Sequence, residues 1–211
     1  MANNSKNIKN IIFDLGGVIL DIDPAKTRQA LKDLGFSDLE NLFLELKDVV
    51  FMFEKGEIPK NTFYNALKKH TPNHFSLAEM EKAWNAMILD IPGERVNILL
   101  KLKEKYRTFL LSNTNEIHLE KYGNIAMEKF NMDLRDMFEK AHFSHEVGMR
   151  KPGREIYQHV LEKHQLHPGE TLFIDDLEEN IRGAESAGMK TRLLKPPDDL
   201  ITLQNEYRWQ E

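Results

Sequence analysis

Four short segments carry side chains whose types and spacing can do chemistry. In Ile11-Ile12-Phe13-Asp14-Leu15-Gly16-Gly17 an apolar run releases a carboxylate into a glycine turn. Backbone can approach a ligand there, and an ionised carboxylate can attack an electrophile. In Leu110-Leu111-Ser112-Asn113-Thr114-Asn115 a hydroxyl, an amide and the first N–H groups of a following helix gather, an arrangement that binds phosphate oxygens. Gly148-Met149-Arg150-Lys151-Pro152 sets a lysine just before a proline-started helix, where its ammonium can place a point charge on phosphate. In Phe173-Ile174-Asp175-Asp176-Leu177-Glu178-Glu179-Asn180 two adjacent carboxylates end an apolar run. They repel each other unless a cation lies beside them. Magnesium fits, because it takes one or two carboxylates together with waters and phosphate oxygens.

Each segment alone also has a plain structural reading. Asp14 serves equally as a turn or cap residue, Ser112 and Asn113 as helix N-caps, Lys151 as a solvated loop lysine, and Asp175 and Asp176 as helix-capping acids.

The elements that would hold these residues follow from the pattern around them. Apolar runs at Ile11–Phe13, Tyr106–Leu111, Thr171–Ile174 and Thr191–Leu194 each end on polar or turn residues and read as buried parallel strands. Helical patterns lie between them, from Pro92 to about Lys105, from Pro152 through Leu161, and from Asn180 to Ala187. Alternating strands and helices imply an open, mostly parallel sheet whose ligands collect at the carboxyl ends of the strands. Residues 22–91 break that rhythm. Asp23-Pro24, Ile58-Pro59 and the capping-box spacing Ser76-Leu77-Ala78-Glu79 each start a helix, and no strand pattern intervenes. Placed directly after the first strand, this insertion is positioned to cover the site, with Phe51, Phe53, Phe63 and Trp84 as its core. The expected domains are 1–21 with 92–211 as the α/β core and 22–91 as a helical cap.

The chain has 211 residues, enough for one core domain with a modest insertion. A net charge of −5 without a long basic run disfavours nucleic acid and anionic lipid as partners. A small anionic substrate must then be held by a few placed groups. The absence of cysteine excludes thiolate metal sites and cysteine nucleophiles and matches a cytoplasmic setting. The polar start MANNSKNIKN offers neither signal peptide nor membrane span. The eight histidines form no HExxH pair, and His142/His145 and His164/His167 read as polar surface.

In order and context, DLGGVILDID, LLSNTN, GMRKP and FIDDLEEN resemble the haloacid dehalogenase superfamily from about Ile11 to Lys195. Within it they are similar to a bacterial group that includes a phosphatase of α-D-glucose 1-phosphate. The resemblance implies a three-layer Rossmann-like core with a four-helix cap and a Mg²⁺-dependent attack by Asp14 on a small phosphomonoester. Ser112, Asn113 and Lys151 would hold phosphate, and Asp175 and Asp176 would supply the metal carboxylates. Many phosphatases of the superfamily carry a second aspartate two residues after the nucleophile, where this chain has Gly16. The Gly16 carbonyl can still reach a metal, but an acid worth about 10²–10⁴-fold is missing. Asp21 and Asp23 are nearby candidates to replace it. A non-catalytic phosphate-binding module is therefore the alternative from another class. A dehalogenase would need no paired metal acids.

Overall fold

The computed structural model describes residues 7–71, 74–196 and 199–206, so the first six residues of the polar N-terminal stretch lie outside it. Strand β1 (Asn10–Phe13) sends Ile11 and Phe13 into one apolar layer and Ile12 into the other. Period-two alternation in a strand buried on both sides requires this arrangement. The insertion follows as α1 (Pro24–Asp33), α2 (Leu39–Glu45), α3 (Lys47–Glu54), α4 (Lys60–Lys68) and α5 (Leu77–Trp84). The chain then alternates: α6 (Gly93–Lys105), β2 (Arg107–Ser112), α7 (Glu116–Phe130), β3 (Lys140–Phe143), α8 (Ser144–Val147) and α9 (Arg154–Lys163). It ends with β4 (Thr171–Asp175), α10 (Glu178–Ser186), β5 (Lys190–Leu193) and α11 (Leu200–Glu206).

The five strands are parallel, in the order β3-β2-β1-β4-β5. Side chains of α6, α7 and α11 pack on one face and those of α9 and α10 on the other, giving the expected three layers. Among the described residues the sheet has one strand more than the apolar runs suggest. β3 was hidden because Lys140-Ala141-His142-Phe143 lies at the sheet edge and holds only one large apolar residue. His142, expected at the surface, is 3% exposed, and its Nε2 lies 2.8 Å from His164 Nε2. Alternation along β3 turns it inward. Helix α9 starts at Arg154 rather than Pro152, and α10 starts at Glu178 rather than Asn180.

Local caps explain where three of the inserted helices begin. Asp23 accepts from the Ala25 N–H with Pro24 at the first turn, Asp38 accepts from the Asn41 N–H, and Ser76 and Glu79 form a reciprocal capping box. Helices α2 and α3 abut at Leu46, which caps both, so the insertion has four helical runs, one of them interrupted. Phe53 stacks on Phe63 at 4.5 Å and Phe63 meets Trp84 edge-on at 4.7 Å, an aromatic centre whose truncation by Phe63→Ala would cost about 3–5 kcal/mol. Phe51 is not part of it and lies half-buried beneath Arg150.

The segments leading into and out of the insertion run side by side. The Asp21 N–H donates to the Asp90 carbonyl at 2.8 Å, Leu89 N–H returns to Asp21 at 3.0 Å, and Ile22 bridges Ile88 in antiparallel fashion. A second attachment comes from α7. Ile117 enters the helical insertion's core, and His118 stacks on Trp84 while its Nε2–H donates to the Trp84 carbonyl at 3.1 Å.

Candidate active site

β1 and β4 are neighbours at the centre of the sheet, and the chain leaves them toward opposite edges. That is the topological switch point where open α/β sheets bind ligands. The ladder pairs Phe13 with both Leu110 and Ile174. Asp14 therefore emerges level with Asp175, its N–H still donating to the Ile174 carbonyl at 2.9 Å.

Lys151 reaches this point from the loop between α8 and α9. Its Nζ lies 2.7 Å from Asp14 Oδ1 and 2.6 Å from Asp175 Oδ2. Lys151 is 1% exposed, Asp175 0% and Asp14 8%, so the contacts form away from bulk water. Burial alone would push the lysine toward its neutral form, but the two carboxylates win and raise its pKa above the ordinary lysine range. For Asp14 burial dominates and the attraction of Lys151 is smaller, while Asp175 and Asp176 add repulsion. Its pKa is pushed up to about 7. Asp176 is raised by burial and by its neighbour Asp175.

Asp14, Asp175 and Asp176 bring ligand oxygens within 4.8 Å of one another. Three carboxylates face one ammonium, an excess of two negative charges that a divalent cation would balance. An all-oxygen donor set suits a hard cation such as magnesium. Gly17 makes room for this cluster. Its φ is +75°, and a Cβ there would lie 2.3 Å from Asp176 Oδ2. Asp175 is already fixed, with Oδ1 accepting from the Leu177 N–H at 2.9 Å and from Asn180 Nδ2 at 3.0 Å.

The remaining expected residues divide. Ser112 ends β2 one residue beyond the level of Asp14, buried, and its hydroxyl makes no hydrogen bond among the described residues. The Asn113 side chain faces Lys151. Its Oδ1 accepts from the Lys151 N–H at 2.9 Å and its Nδ2 donates to the Lys151 carbonyl at 2.8 Å, so the side chain is committed to positioning the lysine. Asn115 is the N-cap of α7. Asp21 and Asp23 are engaged elsewhere, Asp21 in an ion pair with Arg95 at 2.7 Å and Asp23 in capping α1. A Cβ on Gly16 would lie 3.1 Å from Ile22 Cδ1, so an aspartate there requires Ile22 to shift.

The model of the haloacid dehalogenase-like hydrolases matches residues 8–188, the span that contains all four motifs. The chain belongs to this family. The hydrolase is 30% identical over 186 residues to a D-ribitol-5-phosphate phosphatase of Bacteroides thetaiotaomicron, covering 87% of this chain and 90% of that one. It is 28% identical to the sesquiterpene phosphatase astK of Aspergillus oryzae, over 86% and 87% of the two chains. Among solved structures it superposes on the HAD family enzyme bt-2542 of Bacteroides thetaiotaomicron, in complex with magnesium and inorganic phosphate. That match has a TM-score of 0.86 and 36% identity, and covers 93% of this chain and 98% of that one. Two residues of the hydrolase's site region went unnoticed in the sequence, Glu54 and Arg150. Arg150 precedes Lys151 within a motif already singled out, whereas nothing in the pattern of α3 distinguishes Glu54 from its other acid, Asp48.

Proposed function

We propose that this hydrolase is a magnesium-dependent phosphatase that cleaves a small phosphomonoester through an aspartyl-phosphate on Asp14. The observation that carries this reading is the contact of Lys151 Nζ with both Asp14 and Asp175, beside Asp176. A carboxylate attacking a phosphate dianion needs cationic compensation, and Mg²⁺, when bound, supplies it at the phosphoryl oxygens. Asp14, Asp176, Asp175 and the Gly16 carbonyl are the groups that would hold the ion, Asp14 and Asp175 being shared with Lys151. Lys151 offsets charge on the transferring phosphoryl group, and the Ser112 hydroxyl donates to one of its oxygens. Attack by an Asp14 oxygen on phosphorus breaks the bond to the leaving alcohol, and water then attacks phosphorus, releasing inorganic phosphate and regenerating Asp14.

The polar substrate of the ribitol-phosphate relative and the resemblance to the glucose 1-phosphate group both support a sugar or polyol phosphate. The paired segments at Asp21–Asp23 and Met87–Asp90 support a cap spanning 22–91 on a core of 1–21 and 92–211. No helix among the described residues is long and apolar enough to cross a membrane, and the cysteine-free composition supports a cytoplasmic setting. Phosphate release by the purified protein from a panel of phosphomonoesters, with Mg²⁺ and after chelation, tests the reading. Mg²⁺-dependent phosphate binding without release would favour the non-catalytic module that Gly16 suggests, and release undiminished by chelation would remove the metal from the mechanism.

A further inference from the structure

One residue before Lys151, the helical insertion touches the core through side chains that take no part in the chemistry above. Arg150 Nε and Nη2 both lie 3.0 Å from Glu54 Oε2, and the guanidinium carbon sits 3.8 Å from the centre of the Phe51 ring. Phe51 and Glu54 are three residues apart on α3, so one helical face grips the guanidinium by stacking and by charge. From the core side Arg150 is held by its neighbour, since Asn113 binds both the N–H and the carbonyl of Lys151. Gly56 closes the same seam. With φ +68°, it lies so near the His145 carbonyl that an added Cβ would be 2.1 Å from that oxygen.

The ion pair is only partly satisfied. Both side chains are 21% exposed, and among the described residues Glu54 Oε1 and Arg150 Nη1 have no partner. Arg150 is the chain neighbour of Lys151, which puts the pair next to the residue that contacts Asp14 and Asp175. One ion pair thus leaves an acceptor and a donor open. A hydroxyl group both donates and accepts, so a chain of hydroxyls can satisfy both. A hydrocarbon chain laid on the same pair would strip its water and return nothing, the kind of loss that makes hydrogen-bonding sites reject apolar analogues.

We propose that Glu54 and Arg150 bind the leaving group and restrict the substrate to polyhydroxylated phosphomonoesters, such as polyol or sugar phosphates, in preference to terpenyl phosphates. This rests on the phosphatase reading and names the substrate class of the same site. The test is kcat/KM with Mg²⁺ on ribitol 5-phosphate, farnesyl monophosphate and p-nitrophenyl phosphate, for the wild type, Glu54→Gln and Arg150→Lys. The wild type is expected to prefer the ribitol ester to the farnesyl ester. In each variant the ratio of kcat/KM for the ribitol ester to that for the nitrophenyl ester is expected to fall at least about tenfold, mainly through KM. Nitrophenyl turnover in the same preparation reports a folded site. A ratio preserved within about twofold in both variants, whatever the absolute rates, would make the pair a structural cap contact and overturn the inference, as would a wild type that prefers the farnesyl ester. Release from none of the three esters would instead overturn the phosphatase reading, and the inference with it.

Discussion

Replacing Lys151 by methionine removes one ammonium from among three carboxylates and keeps most of the side-chain volume. At 2.7 and 2.6 Å each contact is worth about 6 kcal/mol gross at an effective dielectric near 20. Most of that offsets the desolvation of a lysine only 1% exposed, and removing one partner of such a buried pair typically costs about 3–5 kcal/mol net. The expected loss is therefore about 3–5 kcal/mol in chelated protein at pH 8, read from urea unfolding. It should shrink toward pH 6. Without a cation Asp14 already has its pKa pushed up to about 7, Lys151 opposes that rise, and its loss lets Asp14 take up a proton more readily. Mg²⁺ should stabilise the variant more than the wild type, because the ion then meets three carboxylates with no ammonium among them. A loss below about 1 kcal/mol at pH 8, or equal stabilisation of both proteins by Mg²⁺, would refute the charge balance assigned to this site.

Four further outcomes are expected. Asp14→Asn should leave unfolding cooperative and abolish single-turnover phosphate release, since the amide keeps the shape but is a poor nucleophile; release at the wild-type rate would place the nucleophile elsewhere. Gly17→Ala puts a methyl group 2.3 Å from Asp176 Oδ2 at a φ of +75°, so Mg²⁺ affinity by calorimetry should drop at least about tenfold, and unchanged affinity would free Asp176 from the metal site. With Gly16 in place of an acid and with Asp21 and Asp23 engaged elsewhere, single-turnover rates should rise steeply as the leaving-group pKa falls; a shallow slope with an acidic limb in the pH profile would reveal another acid. His118 has its pKa lowered by burial to about 4, against a partial upward pull from the Trp84 carbonyl, so its contribution is fully present above about pH 6.5 and is lost as pH falls toward 4. That is about 3 kcal/mol at the acid end, and His118→Phe should flatten the slope of stability between those pH values.

Much of the candidate site was legible because the residues it gathers are written in local pattern. Asp14, Asp175 and Ser112 lie at strand ends, where an apolar run stops on a polar residue, and parallel alternation with helices places such ends on one edge of a sheet. The inserted helices were legible for the same reason, since Asp23-Pro24 and Ser76 with Glu79 are caps that act within a single turn. What the sequence could not decide depends on groups distant along the chain. Asn113 and Lys151 are 38 residues apart, and their pairing makes the Asn113 side chain a brace for the lysine. Asp21 looked available until Arg95, 74 residues on, proved to hold it. Glu54 and Arg150, separated by 96 residues, meet only because the cap folds back over the loop that carries Lys151. Hydrophobic periodicity and capping are short-range and repeat along the chain, so they can be read from it. The partner of a charged or amide side chain is chosen by which surfaces the packed layers bring together, and the tertiary structure alone settles that.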